Sequence, residues 1–181
     1  MTSFFDITST LPWPNAIGKR TAVGPLVGAA ESEAISELAR TTPLILVITA
    51  TTAAAHNLAS ELPFFLSDDR EILLVPDWET LPYDNFSPHE DIVSDRLKAL
   101  SRLPTLKSGV VIVSVTTLMH RLAPRHFIDA GVLSLKTGET LDAEQFVRNL
   151  TRNGYRSVDT VYEHGEFATR GSLLDLSLIH I

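Results

Sequence analysis

Leu44-Ile-Leu-Val-Ile48 is an unbroken apolar run rich in β-branched residues, the pattern of a strand covered on both faces. Two runs of the same character follow, Ile72 to Val75 and Val110 to Val115. Between the three lie segments of helical length, Thr52 to Phe65 and Pro88 to Leu103. Strand, helix, strand, helix, strand is the order of an α/β domain built on a parallel sheet. The second helix carries its own boundary signals. Ser87 precedes Pro88, Glu90 and Asp91 sit where the helix dipole is positive, and Ile92, Leu97, Leu100 and Leu103 mark an apolar face before Pro104.

Between the second strand and that helix, Pro76 to Ser87 is a turn-rich loop holding Trp78, Tyr83 and Phe86. The expectation is a loop folded onto its own aromatic core, the alternative an aromatic platform for a ligand. After Pro124 the texture changes to shorter strands punctuated by Gly131 and Gly138, with one helix from about Asp142 to Asn153 closed by Gly154. Tyr155 to Leu176 reads as strand-like runs around a hairpin turn at His164-Gly165-Glu166. The organisation expected is a main α/β domain over 1–124 and a smaller α+β domain over 125–176.

A chain of 181 residues, 44% of them hydrophobic, suffices for one substantial core and a lesser one. Its apolar runs fall short of the roughly 20 residues that span a bilayer, and Met1 to Thr10 lacks the features of a secretory signal. A cytoplasmic location without membrane contact is expected. The lack of cysteine removes disulfides, thiolate zinc sites and cysteine nucleophiles. The six histidines, His56, His89, His120, His126, His164 and His180, are never spaced i, i+4, so a metal site is not expected. A net charge of −7 argues against wholesale attraction to a polyanion.

Gly24-Pro-Leu-Val-Gly28-Ala-Ala-Glu31-Ser32 is a glycine-bearing turn into a helix, the kind of place where α/β proteins cradle phosphate. A working loop of this type needs a lysine ammonium against the phosphates and a hydroxyl for magnesium. Ser32 supplies a hydroxyl, but Glu31 stands at the lysine position, where its carboxylate repels a triphosphate. Nucleotide binding is expected to be lost, and the same residues also fit a plain helix start with two packing glycines. Serine-hydrolase elbows, zinc-protease helices and calcium loops are not found in the sequence. Asp77 with Glu79 and Asp84, and Glu163 with Glu166, read as solvated charge rather than acid–base pairs. No catalytic residue is assigned. Glu163-His-Gly-Glu-Phe-Ala-Thr-Arg-Gly171 sets a single arginine, Arg170, near a turn of the smaller domain, and a planar guanidinium suits a partner's carboxylate.

Three motifs carry a family resemblance: Asp77-Trp-Glu-Thr-Leu-Pro-Tyr-Asp-Asn-Phe-Ser-Pro-His89, Val115-Thr-Thr-Leu-Met119, and Tyr155-Arg-Ser-Val-Asp159 leading to Glu163-His-Gly-Glu-Phe-Ala-Thr-Arg-Gly-Ser-Leu-Leu-Asp175. With the strands between them, roughly Leu11 to Leu176 resembles the amino-terminal module of the transcription-repair coupling factor family, itself similar to domains 1A and 2 of the excision-repair protein UvrB. The resemblance implies a helicase-like, degenerate P-loop NTPase-type domain followed by a truncated domain 2. It implies docking to the repair ATPase UvrA through Arg170, with Glu166 and Phe167 supporting the hairpin. The segment from Trp78 to Pro88 is too short for UvrB's damage-probing hairpin, so damage probing is not expected.

In the family, ATP and magnesium serve motor domains elsewhere in the protein, and contacts to RNA polymerase and double-stranded DNA also lie outside this module. The module itself implies no cofactor and no enzyme activity. The alternative is a nucleotide-dependent helicase domain like UvrB, against which Glu31 stands. Leu176-Ser-Leu-Ile-His-Ile181 departs from the family pattern and matches a translated sequencing adapter, so 177–181 reads as a non-native tail after an incomplete domain 2 with an exposed strand edge.

Overall fold

The computed structural model describes residues 11–14, 16–67, 70–81, 83–131, 137–163 and 165–177. The chain divides into two compact units, one comprising Met1–Asp77 with Leu103–His120, the other Trp78–Arg102 with Arg121–Ile181. The expected boundary after residue 124 has no such interleaving: the aromatic loop and the helix after it cluster with the later part of the chain.

The first unit runs α1 (Ala30–Thr41), β1 (Leu44–Thr49), α2 (Thr52–Glu61), β2 (Glu71–Val75), β3 (Gly109–Ser114) and a single turn, α4 (Val115–Leu118). Its three strands form a parallel sheet in the order β1-β3-β2. All six residues of β3 are buried, as its unbroken Val-Val-Ile-Val run requires of a central strand. The register stacks Ile45, Val110 and Ile72 in one row and Val47, Ile112 and Leu74 in the next. These rows pack with Ile35, Leu38 and Ala39 of α1 and Ala55, Leu58 and Ala59 of α2 to form the core. Leu46 and Ile48, on the other face of edge strand β1, are about half exposed, so the expectation of a strand covered on both faces holds for β3 and not for β1.

Two details lock the sheet. The Arg70 guanidinium Nη1 donates to the carbonyls of Thr42 and Pro43 and to the Ser108 hydroxyl, joining the turns that precede β1 and β3. Gly109 opens β3 at φ 144°, and a Cβ there would lie 2.3 Å from the Glu71 carbonyl oxygen, so only glycine fits.

The second unit holds the loop from Trp78, α3 (Glu90–Arg102), α5 (Arg125–Gly131), α6 (Ala143–Arg152), β4 (Arg156–Ser157), β5 (Glu166–Arg170) and β6 (Leu173–Leu176). Helix α3 begins two residues after Pro88 and ends at Arg102, before Pro104, where the chain tightens into a 3-10 turn over Leu103–Thr105. Gly131 closes α5, a helix that the strand-like reading after Pro124 does not contain. Helix α6 matches its signals. The Asp142 carboxylate accepts from the Gln145 amide at 3.0 Å as N-cap, and Gly154 takes φ 86° just beyond the end.

Strand β5 pairs parallel with β4 and antiparallel with β6. The tight turn of the hairpin is therefore at Gly171-Ser172, with Gly171 at φ 64°, and not at residues 164–166; His164 lies outside the described residues. Alternation along β5 sends Phe167 to one face, where it packs with Phe146 and Leu150 of α6 and with Leu174 and Leu176 of β6. Glu166 and Arg170, an even number of residues apart, share the opposite face.

Candidate functional site

Arg170 ends β5 beside the hairpin turn, and its side chain is exposed. Its Nη2 donates to the Asp159 carbonyl at 2.7 Å and to the Thr160 hydroxyl at 3.2 Å. Both described partners are neutral oxygens, and among the described residues no carboxylate forms an ion pair with this guanidinium. Around it Ser157, Val158, Asp159, Thr160, Thr169 and Arg170 line a shallow polar concavity of about 560 Å³. A fixed arginine over a polar hollow is suited to a carboxylate, which it can meet with directed, charge-assisted hydrogen bonds.

The segment that seats Arg170 is itself braced by Glu166. This carboxylate is 7% exposed, and its Oε2 accepts from the backbone amides of Tyr162 and Glu163, each at 3.0 Å. Oε1 lies 3.4 Å from Arg156 Nη2, which also bonds Glu163 at 2.9 Å. Hydrogen bonds from the Glu163 and Tyr162 amides, aided by the Arg156 charge and opposed by desolvation, hold the Glu166 carboxyl below its ordinary pKa. Phe167 is 2% exposed and belongs to the core beneath. Of the three residues expected at the docking surface, Arg170 is presented outward, Glu166 braces its seat and Phe167 packs inward. Nothing in the sequence marks Asp159 and Thr160 as partners of Arg170. A carbonyl and a lone threonine bear no signal until the fold brings them to the end of β5.

The residues of the expected degenerate nucleotide loop, Gly24, Gly28, Glu31 and Ser32, lie before and in the first turn of α1. Gly24 and Gly28 precede α1, and among the described residues no strand of the sheet runs into them. Glu31 is exposed, whereas Ser32 is buried with its hydroxyl donating to Glu61 Oε2 at 3.0 Å. The junction between β1 and α2, Thr49-Ala50-Thr51, carries neither glycine nor lysine, and the Thr51 hydroxyl caps α2 by accepting from the Ala54 amide at 3.1 Å.

The aromatic loop does not fold onto its own aromatic core. Tyr83 and Phe86 stand in solvent, at 104% and 81% exposure, and Glu79 and Tyr83 both take positive φ. Only Trp78 is half-buried, with the Arg96 guanidinium 4.7 Å above its ring. Arg96 is 1% exposed, a buried cation on an apolar helix face that periodicity alone does not reveal. Pro82 lies outside the described residues. The first and second sequence motifs meet where β2 and β3 end: Asp77 Oδ2 accepts from the hydroxyls of Thr116 at 3.0 Å and Thr117 at 2.7 Å, and Ser114 caps α4 beside them.

Residues 133–181, which include β5 and Arg170, match the family model of the UvrB interaction domain. Across nearly the whole chain the similarity is to transcription-repair coupling factors. It is 43% identical over 164 residues to that of Escherichia coli (strain K12), covering 90% of this chain and 14% of the relative. It is 43% identical over 155 residues to that of Haemophilus influenzae, covering 85% and 13%. It is 40% identical over 150 residues to that of Mycobacterium tuberculosis, covering 78% and 12%. Over most of its own length the chain is homologous to transcription-repair coupling factors, and it spans about one-seventh of the length of the E. coli relative.

Proposed function

We propose that this chain is an adaptor module that docks UvrA through the Arg170 face of its second unit, and so serves, within a longer protein, to recruit UvrA to RNA polymerase stalled at a DNA lesion. The observation that carries the reading is the exposed Arg170, held at the end of β5 by neutral oxygens within the region that matches the UvrB interaction domain. The net charge of −7 fits a protein partner better than a nucleic acid.

The parallel-sheet unit is a helicase-like domain without a nucleotide site of its own. Support comes from Glu31, whose carboxylate stands at the lysine position of the glycine-bearing turn before α1. ATP hydrolysis, with magnesium, belongs to motor domains elsewhere in the longer protein, as do contacts to polymerase and double-stranded DNA. The module works in the cytoplasm; no described helix is long and apolar enough to cross a membrane.

Titration of the chain with UvrA, followed by light scattering, and with a fluorescent ATP analogue tests both halves of the proposal. Saturable association with UvrA and no uptake of the analogue are expected. Stoichiometric analogue binding would restore the helicase alternative.

A further inference from the structure

The docking arginine does not stand alone. Its Nη2 contacts two acceptors from adjacent residues, the Asp159 carbonyl at 2.7 Å and the Thr160 hydroxyl at 3.2 Å. Arginine carries large rotamer freedom, and an interface that must freeze it on binding loses affinity. A guanidinium fixed before the partner arrives avoids that loss. The two oxygens lie in the connection from β4 to β5, which is tied at several points. The Val158 amide donates to the Phe167 carbonyl at 2.9 Å, and Glu166 Oε2 takes the amides of Tyr162 and Glu163. Glu166 and Arg170 share one face of β5, so the strand that carries the arginine also holds, four residues earlier, the carboxylate that fixes its seat.

From this geometry we infer that Thr160 is a positioning residue: its hydroxyl, on a segment clamped by Glu166, preorganises Arg170 for a partner carboxylate. The inference rests on the docking role proposed for Arg170. Thr160 is exposed and makes no core contact that its replacement would remove, so the hydroxyl can be deleted without disturbing the fold.

The test compares Thr160→Val, Thr160→Ser and Arg170→Ala, singly and with each Thr160 change in the Arg170→Ala background, by UvrA affinity and by 15N relaxation of the Arg170 Nε–H in the unbound chain. Thr160→Val is expected to weaken binding roughly three- to tenfold, the cost of immobilising one long side chain. It should also raise the mobility of the Arg170 head group. Thr160→Ser should restore both, and in the Arg170→Ala background Thr160→Val should cost nothing further. An unchanged Arg170 mobility in Thr160→Val overturns the seat, whatever UvrA does. An equal loss in both backgrounds also overturns it, because Thr160 would then touch the partner itself. If Arg170→Ala binds as wild type, the docking reading fails instead, and the relaxation data still decide whether the seat exists.

Discussion

Replacing Phe167 by alanine separates support of the β5–β6 hairpin from contact with the proposed partner. The ring is 2% exposed and packed between Phe146 and Leu150 of α6 and Leu174 and Leu176 of β6. Truncating a buried phenylalanine removes its transfer free energy and leaves a cavity, at a cost of about 3–5 kcal/mol. Domain stabilities are on the order of 5–15 kcal/mol, so the second unit should lose a large part of its margin. Phe167→Leu keeps most of the volume and should cost less than about 1.5 kcal/mol. Urea unfolding followed by circular dichroism, with UvrA binding measured on the same samples, reads the outcome. The Ala variant should unfold at much lower urea and lose binding only as it loses structure, while the Leu variant binds nearly as wild type. An Ala variant that stays folded at wild-type urea concentrations yet no longer binds UvrA would refute the reasoning, since the ring would then be touching the partner.

Other perturbations follow from the same geometry. Gly109→Ala sets a Cβ against the Glu71 carbonyl at a φ of 144°, where a side chain is already strained. It should cost about 3 kcal/mol or more and lower the melting temperature by roughly 6–12 °C, whereas Gly24→Ala, with open space around it and no positive φ, should melt like wild type. Glu166, whose folded-state pKa is depressed by amide hydrogen bonds, contributes stability that is present above about pH 5 and lost as pH falls through its lowered native pKa. Denaturation midpoints measured down to acidic pH should therefore fall less steeply in Glu166→Gln than in wild type; parallel curves would contradict the assignment. Asp77→Ala leaves the buried Thr117 hydroxyl without its carboxylate acceptor and should cost about 1–3 kcal/mol, read by urea denaturation with Asp77→Asn as a milder control.

Much of the scaffold is legible in the sequence because it rests on local chemistry. The apolar runs at Leu44, Ile72 and Val110 become the three parallel strands, and Asp142 with Gly154 brackets α6. What escapes is whatever depends on which segments meet. β1 reads as a two-faced buried strand, yet it lies at the sheet edge, and an apolar run does not say on which side of its neighbours it falls. Tyr83 and Phe86 look like core because they are aromatic, yet both stand exposed, and Tyr83 takes a positive φ. At the proposed docking site Arg170 is visible as a lone arginine among glycines. Its partners are a main-chain carbonyl and a threonine ten residues away, and they become visible only once β4 and β5 are paired.

The central claim is that Arg170 anchors UvrA. Isothermal calorimetry of the chain with UvrA, wild type against Arg170→Ala, tests it most directly once circular dichroism has matched their folded content. Removal of a buried charge contact at an interface should cost about 2–5 kcal/mol, a loss of at least tenfold in affinity with the fold intact. Equal affinities for the two proteins would contradict the account.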